Sequence, residues 1–244
     1  MRQLKIAVAA AMALGLCWAA VPVTASAALN LPEILPFKEN QKLTFTAGES
    51  RIEEINSQKA SSTKAKGEFV VGKTSSSGTA TITFEGFEVQ LPKEKCISLG
   101  GEIPGNVTIK LDWRLVFDTK PEAEGKNLGA GILFTILPET GVHLECQGKA
   151  KILYLLKGQF LGLLKPTNKK QKITMLTLEQ AAGDNAEKTY WMLNAAKVFE
   201  EVKIKEGEML LGLGSLANKY ELAGVAIENG ELTTAVEEEI EIMA

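Results

Sequence analysis

Val107-Thr108-Ile109-Lys110-Leu111-Asp112-Trp113-Arg114-Leu115-Val116-Phe117 is the stretch that decides the fold. Val107, Ile109, Leu111, Trp113, Leu115 and Phe117 take every second position. Thr108, Lys110, Asp112, Arg114 and Val116 fill the others. Successive side chains of a strand point to opposite faces, so this strict alternation predicts a long, half-buried strand. The same period recurs on either side. Leu43 and Phe45 alternate with Thr44 and Thr46, and Ala80, Ile82 and Phe84 with Thr79, Thr81 and Thr83. Val142, Leu144 and Cys146 share a face opposed by His143 and Glu145. Near the end, Val236, Glu238, Ile240 and Ile242 share one face and Glu237, Glu239 and Glu241 the other.

Turn signals punctuate these runs: Gly100-Gly101, Pro138-Glu139-Thr140-Gly141, Lys205-Glu206-Gly207 and Asn229-Gly230. Asn-Gly is the strongest, because a type I′ hairpin needs positive φ at both central positions. Polar stretches predict loops over Ser57–Lys66, Asp118–Asn127 and Lys165–Lys172. Tyr190–Val202 reads two ways. Met192, Ala195, Ala196, Phe199 and Val202 make a helical stripe, but two short strands meeting near Asn194 suit the neighbouring segments better. A short helix around Leu178–Ala182 is the other helical alternative. About a dozen strands at this spacing predict an all-β, single-domain antiparallel β-sandwich, jelly-roll-like; a closed or partly open β-barrel is the alternative.

The N-terminus reads as an export signal. Arg2 and Lys5 form a positive region, Ile6–Ala20 is uncharged and apolar, and Ala25-Ser26-Ala27 supplies a small-x-small cleavage pattern. The expectation is a signal peptide over 1–27 and one all-β domain over 28–244. Cys17 offers a lipidation box, Leu14-Gly15-Leu16-Cys17, but Leu16 is not small and Trp18–Val21 is apolar. Taking Arg2 and Lys5 from the 27 basic residues leaves 25 against 30 acids, a net charge of −5. No strong positive field favours a nucleic-acid partner. After the leader, no run reaches the ~18 apolar residues of a membrane helix; Lys157-Gly158-Gln159 interrupts the longest, Ile152–Leu164.

Export leaves Cys96 and Cys146 in an oxidising compartment, where an even count favours a disulfide. Two buried thiols are the alternative. The bond would close a 51-residue loop, worth about 4 kcal/mol by the chain-entropy relation. Two cysteines and one histidine cannot furnish a four-ligand zinc site.

Leu31-Pro32-Glu33, Phe84-Glu85-Gly86, Cys96, Gly101-Glu102-Ile103, Glu145-Cys146-Gln147-Gly148 and a closing Glu239-Ile240 follow one another in an order that resembles a family of secreted, β-rich, functionally uncharacterised proteins of soil actinobacteria. The resemblance spans most of the chain after the leader. It implies export and an all-β fold, and supplies no activity. Family members carry two earlier cysteines, at positions matching Phe87 and a site near Ile55 here. Their joint loss would fit their being partners, leaving Cys96 with Cys146.

Candidate chemistry is sparse. The chain has one His, three Asp and three Arg. Glu237, Glu239 and Glu241 put three carboxylates on one strand face, where side chains ~6.5–7 Å apart at the backbone can converge as glycosidases require. A solvated face is the simpler reading, since no aromatic lies nearby and no Asp stands in the middle. His143 and Glu145 could pair as base and orienter or as metal ligands, but no second His supports them. There is no Gly-x-Ser-x-Gly elbow and no Asp-rich calcium loop. Leu137-Pro138-Glu139-Thr140-Gly141 matches a sortase signal, but 103 residues follow it, so a hairpin turn between Ile132–Ile136 and Val142–Cys146 is expected. Tyr190-Trp191 could form an aromatic platform; with Trp113, Tyr154 and Tyr220 they complete the Trp and Tyr after the leader. Lys165, Lys169, Lys170 and Lys172, then Lys188, make a basic stretch able to touch cell-envelope polymers, though a solvated turn is the default. No catalytic residue, cofactor or metal ligand emerges. The expectation is a secreted, non-catalytic β-domain that binds or scaffolds at the cell surface or outside the cell; the alternative is a glutamate-dependent hydrolase of glycans or peptidoglycan.

Overall fold

The computed structural model describes residues 32–54, 59–90, 93–118, 129–138, 140–147, 152–180, 189–194, 196, 198–204, 208–213, 219–234 and 238–243. Residues 1–31, Ile55, residues 119–128, Lys188, Lys205–Gly207 and Glu237 lie outside them, as does the side chain of Tyr220. Every regular element among the described residues is a strand.

In chain order the strands are β1 (Glu33–Leu35), β2 (Lys42–Ala47), β3 (Ser50–Glu54), β4 (Lys59–Ser62), β5 (Lys64–Val71), β6 (Ser77–Glu85), β7 (Glu88–Gln90), β8 (Lys93–Ser98) and β9 (Val107–Phe117). Then follow β10 (Ala130–Leu137), β11 (Val142–Cys146), β12 (Ile152–Lys157), β13 (Gln159–Lys165), β14 (Ile173–Gln180), β15 (Thr189–Leu193), β16 (Phe199–Lys203), β17 (Glu208–Leu213), β18 (Lys219–Thr234) and β19 (Glu241–Met243).

The pairing is antiparallel throughout and closes on itself in two tiers. In the lower tier β2 pairs with β5, then β6, β9, β10, β13, β14 and β18, and β18 returns to β2. In the upper tier β18 pairs with β3, then β4, β7, β8, β11, β12 and β17, which returns to β18. The sixteen-residue β18 runs through both. The chain therefore forms an all-β, antiparallel closed barrel, with neighbouring strands following each other as a meander.

Most strands of one tier continue into the other across a break, which is why the strand count exceeds a dozen. Glycine sits at several of these breaks. Gly86, between β6 and β7, has φ +67°, and a Cβ there would lie 2.6 Å from Thr63 Oγ1 at the adjacent β4–β5 break; only glycine meets both demands. Pro138 and Gly141 bracket a turn, with the Gly141 N–H donating to the Pro138 carbonyl at 2.7 Å. β10 and β11 do not pair with each other, so this is a break between tiers and not the expected hairpin.

Three further expectations are corrected. Asn229-Gly230 lies inside β18, not at a turn. The β14–β18 register shifts there, and a Cβ on Gly230 would meet the Leu176 carbonyl at 2.5 Å and the Phe45 ring at 3.0 Å. Glycine serves close strand approach at an irregularity. Of the expected Ser57–Lys66 loop, Ser57 and Gln58 lie outside the described residues, and Lys59–Ser62 and Lys64–Lys66 are strand on either side of Thr63: Ala60, Ser62 and Ala65 are buried while Lys59, Lys64 and Lys66 are exposed. The Leu178–Gln180 part of the suggested helix is strand β14, and the Tyr190–Val202 stretch forms the β15–β16 hairpin.

The inward face of β9 is buried from Val107 to Phe117, and Thr108, Lys110, Asp112 and Arg114 are exposed. Phe69 meets Phe45, Trp113 and Phe134 at ring centroid distances of 5.8, 6.4 and 5.8 Å. The Trp113 indole N–H donates to the Thr79 carbonyl at 3.0 Å, meeting the need of its one polar group. A void of about 40 Å³ remains among Ile82, Ile109, Phe134, Leu156, Leu176 and their neighbours; its apolar lining gives a water nothing to bond. β1 and β19 pair at the lower end, where Ile34, Ile240 and Ile242 are buried. In the upper tier Cys96 and Cys146 stand directly opposite each other on β8 and β11, fully buried, with Cα atoms 3.8 Å apart and sulfurs at bonding distance.

Candidate functional site

The outer face of the lower tier builds the site. Across β6, β9, β10 and β13 the register aligns Ser77, Arg114, Leu133 and Leu161 in one row. The next row, toward the upper tier, holds Thr79, Asp112, Thr135 and Gln159. Each row runs outward because the alternate positions, Ala80, Trp113, Phe134 and Phe160, fill the barrel.

The β15–β16 hairpin covers one part of this face. Val116, Leu133 and Leu161 form a second apolar cluster with Tyr190 and Ile204, and Met192 and Val202 pack against it. Phe199 on β16 meets Phe117 edge-on, centroids 5.4 Å apart. This cover explains why Val116, at an outward position of β9, is buried.

Where the hairpin stops, the wall drops from two layers to one. The step is a groove of about 650 Å³, within the range of small-ligand sites. The polar row forms its floor and Tyr190 part of its flank, and Arg114 and Lys157 supply positive charge. The Gln159 side-chain amide donates to Thr135 Oγ1 at 3.1 Å, which fixes the amide's orientation. Burial pushes the Tyr190 hydroxyl above its ordinary pKa, opposed by the Arg114 guanidinium beside it. Among the described residues, Asp112 is the only carboxylate in the groove. Neither Asp112 nor Arg114 has a hydrogen-bond or ion-pair partner among those residues.

Such a floor offers acceptors at Asp112, hydroxyls at Ser77, Thr79 and Thr135, an oriented amide at Gln159 and a guanidinium fork at Arg114. Groups of these kinds are able to hydrogen-bond and pair charge with a polar ligand.

The residues singled out from the sequence are distributed otherwise. Glu239 is exposed and Glu241 half-buried at the lower end. Glu238, expected to share the apolar face of Ile240, is exposed and ion-paired with Lys38 at 2.8 Å. His143 is exposed and Glu145 half-buried on β11; the described residues hold no group of three or more His, Cys, Asp and Glu able to bind a metal. Lys165, Lys169, Lys170 and Lys172 are exposed around the β13–β14 connection. Tyr190 is buried and Trp191 half-buried on opposite faces of β15, while Trp113 and Tyr154 belong to the core. Asp112 and Arg114 were visible as an exposed strand face. Thr79, Thr135, Lys157 and Gln159 carried no separate signal, because only the cross-strand register brings them to that face.

No family model, no curated protein and no solved structure matches this chain.

Proposed function

We propose that this chain is an exported, non-catalytic β-domain that binds at the cell surface or outside the cell, and that the groove beside the β15–β16 hairpin is its binding site. The observation that carries this reading is the composition of the groove. Its polar groups come from six strands, β6, β9, β10, β12, β13 and β15, yet only one carboxylate is among the described ones. Glycoside hydrolysis through carboxylates needs a pair, ~5–9.5 Å apart. A single Asp beside Arg, Lys, hydroxyls and an amide is suited to holding a polar ligand.

Export is supported by the charged Arg2–Lys5 region, the apolar run and Ala25-Ser26-Ala27. The Cys96–Cys146 pair at bonding distance suits an oxidising compartment. The resemblance to secreted β-rich proteins of soil actinobacteria belongs to the same reading and adds no activity.

The test measures binding and turnover together. The protein is incubated with purified peptidoglycan and envelope glycans; retention in the pellet and new reducing ends are both quantified. Saturable retention without new reducing ends is expected. Product release that scales with protein and disappears in Glu239→Gln or Glu241→Gln would replace this reading with a glutamate-dependent hydrolase.

A further inference from the structure

We propose that the groove takes a hydroxyl-rich polymer bearing one acidic group per repeat, with Arg114 anchoring the acid and the Asp112 row reading the hydroxyls. This rests on the binding role proposed above and names the ligand class.

The charge pattern comes first. The whole chain carries a net charge of −3, and the groove sets the Arg114 guanidinium against a single described carboxylate, Asp112. Lys110 is exposed two positions further along the outer face of β9. The facing strands add no opposing charge: β6 presents Ser77, Thr79 and Thr81, and β10 presents Leu133, Thr135 and Leu137. An exposed guanidinium with no hydrogen-bond or ion-pair partner among the described residues presents a planar fork that fits a carboxylate or a phosphate with two parallel hydrogen bonds.

The second observation is spacing. Asp112 and Arg114 share one face of one strand, ~6.5–7 Å apart at the backbone, comparable to the span of one sugar or polyol unit. Asp112 accepts only, so it pairs with ligand O–H groups. Thr79 and Thr135 flank it in register and can donate or accept. A purely anionic chain without hydroxyls would meet Asp112 as a repulsive charge. Nucleic acid fits less well, because bases need exposed rings to stack on, and here Trp113 is in the core and the Tyr190 side chain is buried between the hairpin and the barrel wall. The acid itself can come from a uronate carboxylate or from a phosphodiester between polyols; the Arg114 fork serves both.

Titration calorimetry with four probes of matched length tests this: oligogalacturonate, oligo(glycerol phosphate), a neutral malto-oligosaccharide and oligoglutamate. At least one of the first two is expected to bind at least ~10-fold more tightly than the neutral and the hydroxyl-free probes, and which one it is identifies the acid. Arg114→Gln should weaken that probe by ~10-fold or more, the size of a lost charge-assisted hydrogen bond. Because Arg114 is exposed and makes no hydrogen bond or ion pair among the described residues, the variant's melting temperature should be unchanged, and Arg114→Lys should recover part of the affinity. Equal binding of oligoglutamate, or no effect of Arg114→Gln, overturns the inference. If the neutral probe binds best and Thr135→Trp, which fills the groove, abolishes it, the groove remains a binding site and only the acidic-ligand inference falls. If no probe binds and envelope retention is the same in Thr135→Trp, both fall.

Discussion

The two ends of the outer face of β9 share a strand and a period but not an environment. Val116 is buried beneath Tyr190, Ile204 and the rest of the β15–β16 hairpin. Asp112 and Arg114, four and two residues earlier, face an open groove. Apolar outward residues on β9, β10 and β13 attract the cover, and polar ones leave the wall bare. The boundary between them makes the concavity. A barrel whose interior is filled by side chains has no room inside for a ligand, so a concave site has to be added outside, and here a strand hairpin supplies it.

That contrast can be tested by perturbing each part, and the barrel beneath them. Reducing Cys96–Cys146 should have the largest effect. Opening a 51-residue loop costs about 4 kcal/mol by the chain-entropy relation. As the bond lies in the upper tier, both ends of β9 should lose protection together. Denaturant unfolding with and without reductant measures this, and thiol titration of unreduced protein should find no free sulfhydryl at either position.

Next comes the cover. Leu133→Ala should cost ~2–3 kcal/mol, as buried leucine truncations do, and should raise hydrogen exchange in β15 and β16 more than in β2 or β5. Equal exchange throughout would mean that the hairpin is not a local cover.

A smaller effect is expected at high pH. Burial raises the Tyr190 pKa above its ordinary value of 10.0. The unfolded chain then loses this proton first, so the contribution is fully present below about pH 10 and is lost as pH rises through the folded pKa. Tyr190→Phe should remove that part of the alkaline slope, read by denaturant unfolding between pH 9 and 11. The smallest effect is at the bare end: Arg114→Gln should change stability by no more than ~0.5 kcal/mol, as at other unpartnered surface sites.

The sequence was most readable where one periodicity was strict. Val107–Phe117 alternates without error, and the strand and its faces follow. Legibility fell where one residue type answers several needs. Gly230 resembles a hairpin turn, yet its missing side chain admits Phe45 and the β14 backbone. Lys59–Lys66 resembles a polar loop because its inward residues are alanine and serine, whose burial leaves little hydrophobic signal. The paired cysteines were readable from their even count after the expected export signal. The groove was not readable as a site: Asp112 and Arg114 were legible only, with Lys110, as the polar face of one strand, and Thr79, Thr135 and Gln159 join them through hydrogen-bond register, which follows from barrel closure and leaves no local pattern.

The claim that the flank groove is the binding site is tested most directly by co-sedimenting wild type and Thr135→Trp with whole envelope fragments. Thr135 is half-buried on the groove floor, so the tryptophan should occupy the groove and leave the barrel interior untouched. The account expects wild type in the pellet and the variant in the supernatant, with the same melting temperature. Equal sedimentation of two folded proteins would contradict it.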